Sequence, residues 1–171
     1  MNTRMKDHPN IVIFPPLIPL AILLAACALQ WLAPLGLLAN IGQGLRAGAG
    51  LAVAIAGIAI TINGRLALVR RGTNVNPFQP STALATGGIF RYTRNPMYVG
   101  VTLALAGIGI VFALDWVFLL LVPGLVTLHF GIVRREEEYL ARKFGDEYRR
   151  FQARVPRYFG SGKRAVSTEL Q

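Results

Sequence analysis

The chain has 171 residues, of which 53% are hydrophobic and only 15% charged, and its mean hydropathy is +0.47. Soluble domains carry roughly 25% charged residues, so an ordinary water-soluble domain is excluded; the apolar fraction excludes disorder, and the lone Cys27 excludes a disulfide framework. The net charge of +10 has the size of a nucleic-acid signature, but the basic residues lie in blocks flanking apolar runs, which points to a membrane surface and to no nucleic-acid partner.

A helix needs about 20 mostly apolar residues to cross a bilayer. The first stretch that qualifies runs from Ile11 to Ala39 and opens with Pro15, Pro16 and Pro19, which suit a helix start. Leu24-Ala25-Ala26-Cys27 has the form of a lipoprotein cleavage box, but the apolar run continues well past it, so an uncut span is expected. The second stretch runs from Ala47 to Val69 and is interrupted by Asn63, Gly64 and Arg65. Its small residues, Ala52, Ala56, Gly57 and Ala59, allow either close helix packing or a cleft that admits a lipophilic ligand beside the third and fourth spans. Gly42-Gln43-Gly44 follows no strand and is no dinucleotide loop. The third stretch is Met97 to Leu114, and the fourth is Trp116 to Val133 with Pro123 as a kink. These runs are too long, and alternate too little, for strands.

The expected fold is therefore an all-α integral membrane bundle in a single domain, with about four transmembrane helices and a C-terminal amphipathic cytoplasmic helix. Residues 1–70 form an N-terminal helical hairpin, and 160–171 a polar tail. With four spans, seventeen of the eighteen Lys and Arg residues fall on one side, and only Arg46 falls on the other. Positive residues concentrate in the cytoplasm, so both termini and the Arg65–Arg94 segment are predicted there. Three or five spans would split the basic clusters across both faces.

Two polar segments share that side. The first, from Arg71 to Tyr98, is rich in Pro and Gly, yet its aromatics Phe78, Phe90, Tyr92 and Tyr98 argue against disorder. The second follows the fourth span, where Leu140, Phe144, Tyr148, Phe151 and Val155 mark one helical face, with Gly145 as a break. That face lies either on the membrane or on the protein itself. The tight turn at Asp115 makes the third and fourth spans an antiparallel hairpin, whose open end brings Arg94, Asn95 and Tyr98 to Glu136 and Glu137. Three consecutive glutamates need partners there, and Arg91, Arg94, Arg134 and Arg135 are available. From spacing alone, a structural ion-pair cluster and a ligand site are equally supported.

The segment Thr86-Gly87-Gly88-Ile89-Phe90-Arg91-Tyr92-Thr93-Arg94-Asn95-Pro96-Met97-Tyr98-Val99-Gly100 resembles the first signature of the isoprenylcysteine carboxyl methyltransferase and phospholipid N-methyltransferase superfamily. Glu136-Glu137-Glu138-Tyr139-Leu140, Phe144-Gly145-Asp146-Glu147-Tyr148 and Val155-Pro156-Arg157-Tyr158 resemble its second. The resemblance covers about half the chain, Gly72 to Phe159, and makes 72–159 the catalytic region. It implies an integral membrane methyltransferase of the bacterial inner membrane that uses S-adenosylmethionine on a lipophilic acceptor: a prenylcysteine-type carboxylate, a phospholipid amine, or a small thiol or acid. Gly88, Arg94, Asn95, Pro96, Tyr98, Glu136 and Glu137 would hold the cofactor, with catalytic roles for Arg94 and Glu137. Two departures stand out: Asn95 replaces a common histidine, and Phe90 a common tyrosine. Arg or Asn suits the cofactor carboxylate, a Glu pair its ammonium, and an aromatic face its sulfonium.

His129, Arg154 and Arg157 are candidate substrate contacts, against an interhelical hydrogen bond for His129 and lipid phosphate for the arginines. Asn63 and Arg65 share that ambiguity. No metal is expected, since the histidines are only His8 and His129 and Cys27 is alone. The competing functions are an NADPH-binding reductase of sterol-reductase-like architecture and a non-catalytic membrane subunit.

Overall fold

The computed structural model describes residues 8, 9, 11 and 13–159; Arg4, Lys6 and the polar tail 160–171 lie outside the described residues. All regular structure described is helical: α1 (Leu17–Leu32), α2 (Gln43–Arg70), α3 (Pro96–Val111), α4 (Asp115–Leu128) and α5 (Arg134–Arg154), with a short 3-10 turn at Gly88–Arg91. A π turn, His129–Val133, joins α4 to α5, so one helical rod runs from Asp115 as far as a kink at Gly145. This rod and α2 are long and apolar enough to cross a membrane, whereas α1 and α3 are apolar but have 16 residues each.

α1 is much shorter than its apolar run. It starts after Pro16 and stops at Leu32, because Ala33 precedes Pro34 and takes an extended φ of −147°. The residues up to Ala39 are therefore turn, not helix. Asn63-Gly64-Arg65 does not interrupt α2, contrary to expectation. The Asn63 amide donates to the Ala59 carbonyl (2.8 Å), and Gly64 lies against Pro96 and Met97, so neither residue competes with the helix.

α2 and α3 run antiparallel on glycines spaced seven apart. A Cβ on Gly50 would lie 2.7 Å from the Val111 nitrogen and 2.9 Å from the Gly107 carbonyl oxygen. A Cβ on Gly57 or Gly100 would fall 2.5 Å from the other's carbonyl oxygen. Backbones touch along this seam, as small residues permit where lipid supplies no hydrophobic drive. Of the small residues named in this stretch, Gly57 is closed off by α3, while Ala52, Ala56 and Ala59 are exposed and line neither cavity, which corrects the expectation that they border a cleft beside the third and fourth spans. α1 and α4 cover the opposite side of α3 through Ile22, Ala26, Leu105 and Val117.

At the end remote from α5, Asp115 opens α4 and is 4% exposed. Its carboxylate accepts from the Leu37 and Leu38 N–H groups (3.1 and 2.9 Å), its own N–H donates to Gln30 Oε1 (3.1 Å), and Trp116 Nε1 donates to the Ala33 carbonyl (2.8 Å). An acid at a helix N-terminus is favoured by the helix dipole, and here it also ties the α1–α2 connection to α4. At the other end, α5 turns sharply at Gly145, whose φ of +53° and ψ of −126° suit glycine. Beyond the kink, Tyr148, Phe151 and Val155 bury against Ala85 and Phe90, so the amphipathic face lies on the chain itself.

Candidate functional site

Glu137, on the first turn of α5, is 5% exposed and anchors the α5 end. Arg157 grips it with two bonds, Nε to Oε1 at 3.0 Å and Nη2 to Oε2 at 2.7 Å, and Arg94 adds Nη2 to Oε1 at 3.2 Å. Bidentate guanidinium–carboxylate pairs of this kind are short and directional. Backbone contacts register the two guanidiniums. The Arg157 carbonyl accepts from Thr93 Oγ1 (2.9 Å) and Asn95 Nδ2 (3.2 Å), and the Arg94 N–H donates to the Pro156 carbonyl (3.0 Å). Asn95 caps α3 and Pro96 takes its first position, where a missing N–H is harmless. The hydrogen bonds that Arg157 donates to the Glu137 carboxylate favour its charged guanidinium and raise its pKa above the ordinary arginine value. Two cations on one carboxylate leave the cluster positive, and Arg94 Nε is buried with no hydrogen-bond partner.

Glu136 points the other way. Its Oε1 accepts from the Tyr98 hydroxyl at 2.8 Å. Burial pushes its pKa up to about 7; the Tyr98 bond opposes that rise and the charge of Glu137 adds to it. Burial likewise raises the pKa values of Tyr148 and Tyr158 beyond the usual phenol range.

Two cavities meet at this acid. A cavity of about 120 Å³ at the α5 end has Arg94, Asn95, Pro96, Tyr98, Glu136 and Glu137 in its wall, with Asn74, Asn76 and Tyr148 opposite. A larger one, about 600 Å³, runs between α1, α3 and α4 along Ile18, Ile22, Val101, Leu105, Leu125 and Leu128, and reaches Thr61 and Arg65 of α2. Its wall is mostly apolar, and its only charged residues among those described are Arg65 and Glu136. The two share residues 75–77, Met97, Tyr98 and Glu136. Phe14, before α1, stacks on Phe78 with centroids 6.1 Å apart and so joins the start of the chain to this loop.

Six of the sequence-predicted residues therefore come together: Arg94, Asn95, Pro96, Tyr98, Glu136 and Glu137. Gly88 does not. It is exposed, and its φ of +61° opens the turn that buries Phe90. Arg157 serves the Glu137 cluster. His129 Nδ1 lies 3.1 Å from the Tyr158 hydroxyl and its Nε2 3.5 Å from Arg157 Nη1, and it lines neither cavity. Arg154 bonds its own helix at the Arg150 carbonyl (3.3 Å) and also lines neither. Asn63 is taken up by α2, whereas Arg65 lines the larger cavity. Sequence reasoning missed Asn74, Asn76 and Tyr148; the polar loop and the apolar face carried them, but nothing in their spacing aimed them at this wall.

Long apolar helices ending in a buried carboxylate–guanidinium cluster, with a small cavity that carries several polar side chains beside a larger apolar one, have the make-up of a membrane-enzyme site. The chain belongs to the phospholipid methyltransferase family, within the isoprenylcysteine carboxyl methyltransferase superfamily: the family's model matches residues 45–147, more than half its length. The match takes in α2, α3, α4 and the glutamates of α5. No curated protein and no solved structure matches the chain.

Proposed function

We propose that the protein is an integral membrane methyltransferase that moves a methyl group from S-adenosylmethionine to a lipophilic acceptor. The observation that carries this reading is the shared wall of the two cavities at Tyr98 and Glu136. A water-soluble donor and a lipid acceptor need separate approaches that converge on one point, and transfer by in-line displacement needs alignment more than a reactive side chain.

The donor set of the smaller cavity suits the cofactor. Arg94, with a buried and unpartnered Nε, suits its carboxylate. Glu136, at the meeting of the two cavities, suits a proton carried in by an acceptor. Tyr98 offers an aromatic face to a sulfonium, a contact of about 0.5–2 kcal/mol. When bound, S-adenosylmethionine supplies an activated methyl group. In this reading Glu137 acts as a positioning residue, holding Arg94 and Arg157. The larger cavity takes the acyl or prenyl part of the acceptor and brings its polar head between Arg65 and Glu136.

The same reading gives four membrane crossings with the α5 end in the cytoplasm, since four spans along the sequence assign seventeen of its eighteen basic residues to that side. The two 16-residue helices reach only about 24 Å, so the bilayer thins around them or their connecting turns enter the interface. The test is titration of the detergent-purified protein with S-adenosylmethionine and, separately, NADPH, followed by incubation with labelled methyl donor and membrane lipid. Saturable S-adenosylmethionine binding and label in a lipid are expected. NADPH binding alone, or neither, would overturn the reading.

A further inference from the structure

We propose that Glu136 is the group that takes the proton from an amine acceptor, that Tyr98 positions it, and that the neighbouring Glu137 takes no part in proton transfer. This rests on the methyltransferase reading above.

A protonated amine has no lone pair and cannot attack a methyl carbon, so a proton must leave before or during transfer. Two acids stand at the site, Glu137 buried and Glu136 half-buried, and their surroundings differ. Both oxygens of Glu137 are engaged by guanidiniums, at 2.7–3.2 Å, so it has no room for a proton. Glu136 has one hydrogen-bond donor, the Tyr98 hydroxyl, on one of its oxygens. Among the described residues it is also the one acid that lines both cavities, and the one acid in the wall of the larger cavity. The groups around it are Tyr98 from α3, Glu137 beside it, Tyr148 and Tyr158 from the C-terminal part, and Arg94 and Arg65 further along the two walls.

The step balances as follows. An ammonium N–H bond breaks and its proton moves to a Glu136 carboxylate oxygen. The freed nitrogen pair forms the new N–C bond while the C–S bond of the donor breaks. The bonding pair stays on sulfur, which turns from sulfonium to neutral thioether. Glu136 then releases its proton to water through the smaller cavity. Its affinity for protons, raised by burial to about 7, suits a group that must accept and release one near neutral pH. A carboxylate acceptor has no proton to lose and would make no use of this acid, so Glu136 separates amine chemistry from carboxyl chemistry at one site.

The test uses the full chain in lipid nanodiscs, S-adenosylmethionine and phosphatidylethanolamine as probe. For the wild type, kcat/KM should rise about tenfold per pH unit below about 7 and level off above. In Glu136→Gln, kcat should fall about a hundredfold or more, with KM and the S-adenosylmethionine Kd within about threefold, and the limb near 7 should vanish. Tyr98→Phe removes the bond that favours the anion, so the limb should move to higher pH. One readout needs no turnover. The unfolding midpoint of the ligand-free wild type should fall as the pH rises from about 4.5 to about 7, where the unfolded chain has lost this proton and the folded one still holds it, and that contribution should be absent in Glu136→Gln. If Glu136→Gln does not fold, the wild-type limb and its shift in Tyr98→Phe decide. A limb that survives in Glu136→Gln would overturn the inference. So would loss of S-adenosylmethionine affinity matching the loss of rate, or turnover of a prenylcysteine carboxylate but of no amine. Each of these leaves the methyltransferase reading standing, whereas a wild type that binds no S-adenosylmethionine would overturn both.

Discussion

α3 is packed in opposite ways on its two sides. Toward α2, Gly100 and Gly107 meet Gly57 and Gly50, and the backbones touch. Toward α1 and α4, Val101 and Leu105 face Ile18, Ile22 and Leu125 across about 600 Å³ of cavity. Residue size sets the difference. Glycine every seven residues lets two helices close completely, while branched and long side chains meeting at staggered heights leave space between them. Small residues in a span therefore say that a neighbour comes close, not that a ligand passes. The rigid seam gives α3 a fixed edge, and the polar heads at its first turn are held by that edge.

The largest expected effect comes from breaking the closed seam. Gly57→Leu would drive a side chain into the backbone of Ala104 and Gly100, which cannot yield as a flexible side chain would. Overpacking typically costs about 1–3 kcal/mol, and more against backbone, so loss of the monodisperse folded protein in size-exclusion chromatography is expected. Gly44→Ala lies on the same helix with nothing within 4 Å and should raise the unfolding midpoint slightly, by the roughly 0.5–1 kcal/mol that separates alanine from glycine in a helix. Similar behaviour of the two variants would sink the seam argument.

Next comes the cluster that both seams support. Glu137→Gln leaves two guanidiniums, 10% and 34% exposed at the side chain, without their anion. Breaking a buried pair typically costs about 3–5 kcal/mol; the exposure of Arg157 puts the expected loss at or below the lower end, about 2–3 kcal/mol, in chemical denaturation. Glu138→Gln removes an exposed acid 3.9 Å from Arg134 and should change stability by less than about 0.5 kcal/mol. Equal effects would mean that the three glutamates form one solvated face.

The open seam responds to filling. Thr102 and Val101 line the larger cavity, and Val101→Trp should occupy part of it. Turnover of a long-chain acceptor should fall tenfold or more, while S-adenosylmethionine binding, measured by calorimetry, stays within about twofold. Equal loss of both would mean that the cavities are not separate approaches.

Much of this was legible in the sequence, and the exceptions share a cause. The apolar runs mark α2, α3 and the α4 rod, and the two ordered motifs do meet around one cavity. Hydropathy extended the first span to Ala39, although Ala33-Pro34 carried the stop signal in plain view. Asn63 looked like a break because its polarity is visible and its bond to Ala59 is not. Arg94 was foreseen as a partner of the glutamates, but the second partner of Glu137 was hidden for a stronger reason. Arg157 lies twenty residues on and reaches back only because Gly145 turns the chain. His129 and Glu136, seven apart, share a face of an ideal α-helix, but the π turn between them shifts that register, and only Glu136 reaches the cavities. Local periodicity thus described each helix, while the contacts that make the site depend on two local departures from it.

The smallest expected effect concerns Arg65, the second charged residue of the open seam. It sits on α2 at the mouth of the larger cavity, exposed to solvent, and faces the same space as Glu136. An acceptor with an anionic group beside its nucleophile, such as a phosphodiester, would place that anion toward Arg65. Because the guanidinium is exposed, its attraction is screened, and about 0.5–1 kcal/mol is a fair size. Arg65→Gln keeps the chain length and the helix propensity while removing the charge. The KM for an anionic-headed acceptor should rise about two- to fivefold, since 1.4 kcal/mol is tenfold, with kcat unchanged. Salt should mimic the substitution: raising ionic strength from 0.05 to about 0.5 M should bring the wild-type KM toward that of the variant and leave the variant almost unmoved. A neutral-headed acceptor should feel neither change. If Arg65→Gln lowers kcat instead, or if the salt dependence persists in the variant, the charge that steers the head group lies elsewhere, and the open seam selects its occupant by shape and apolar length alone.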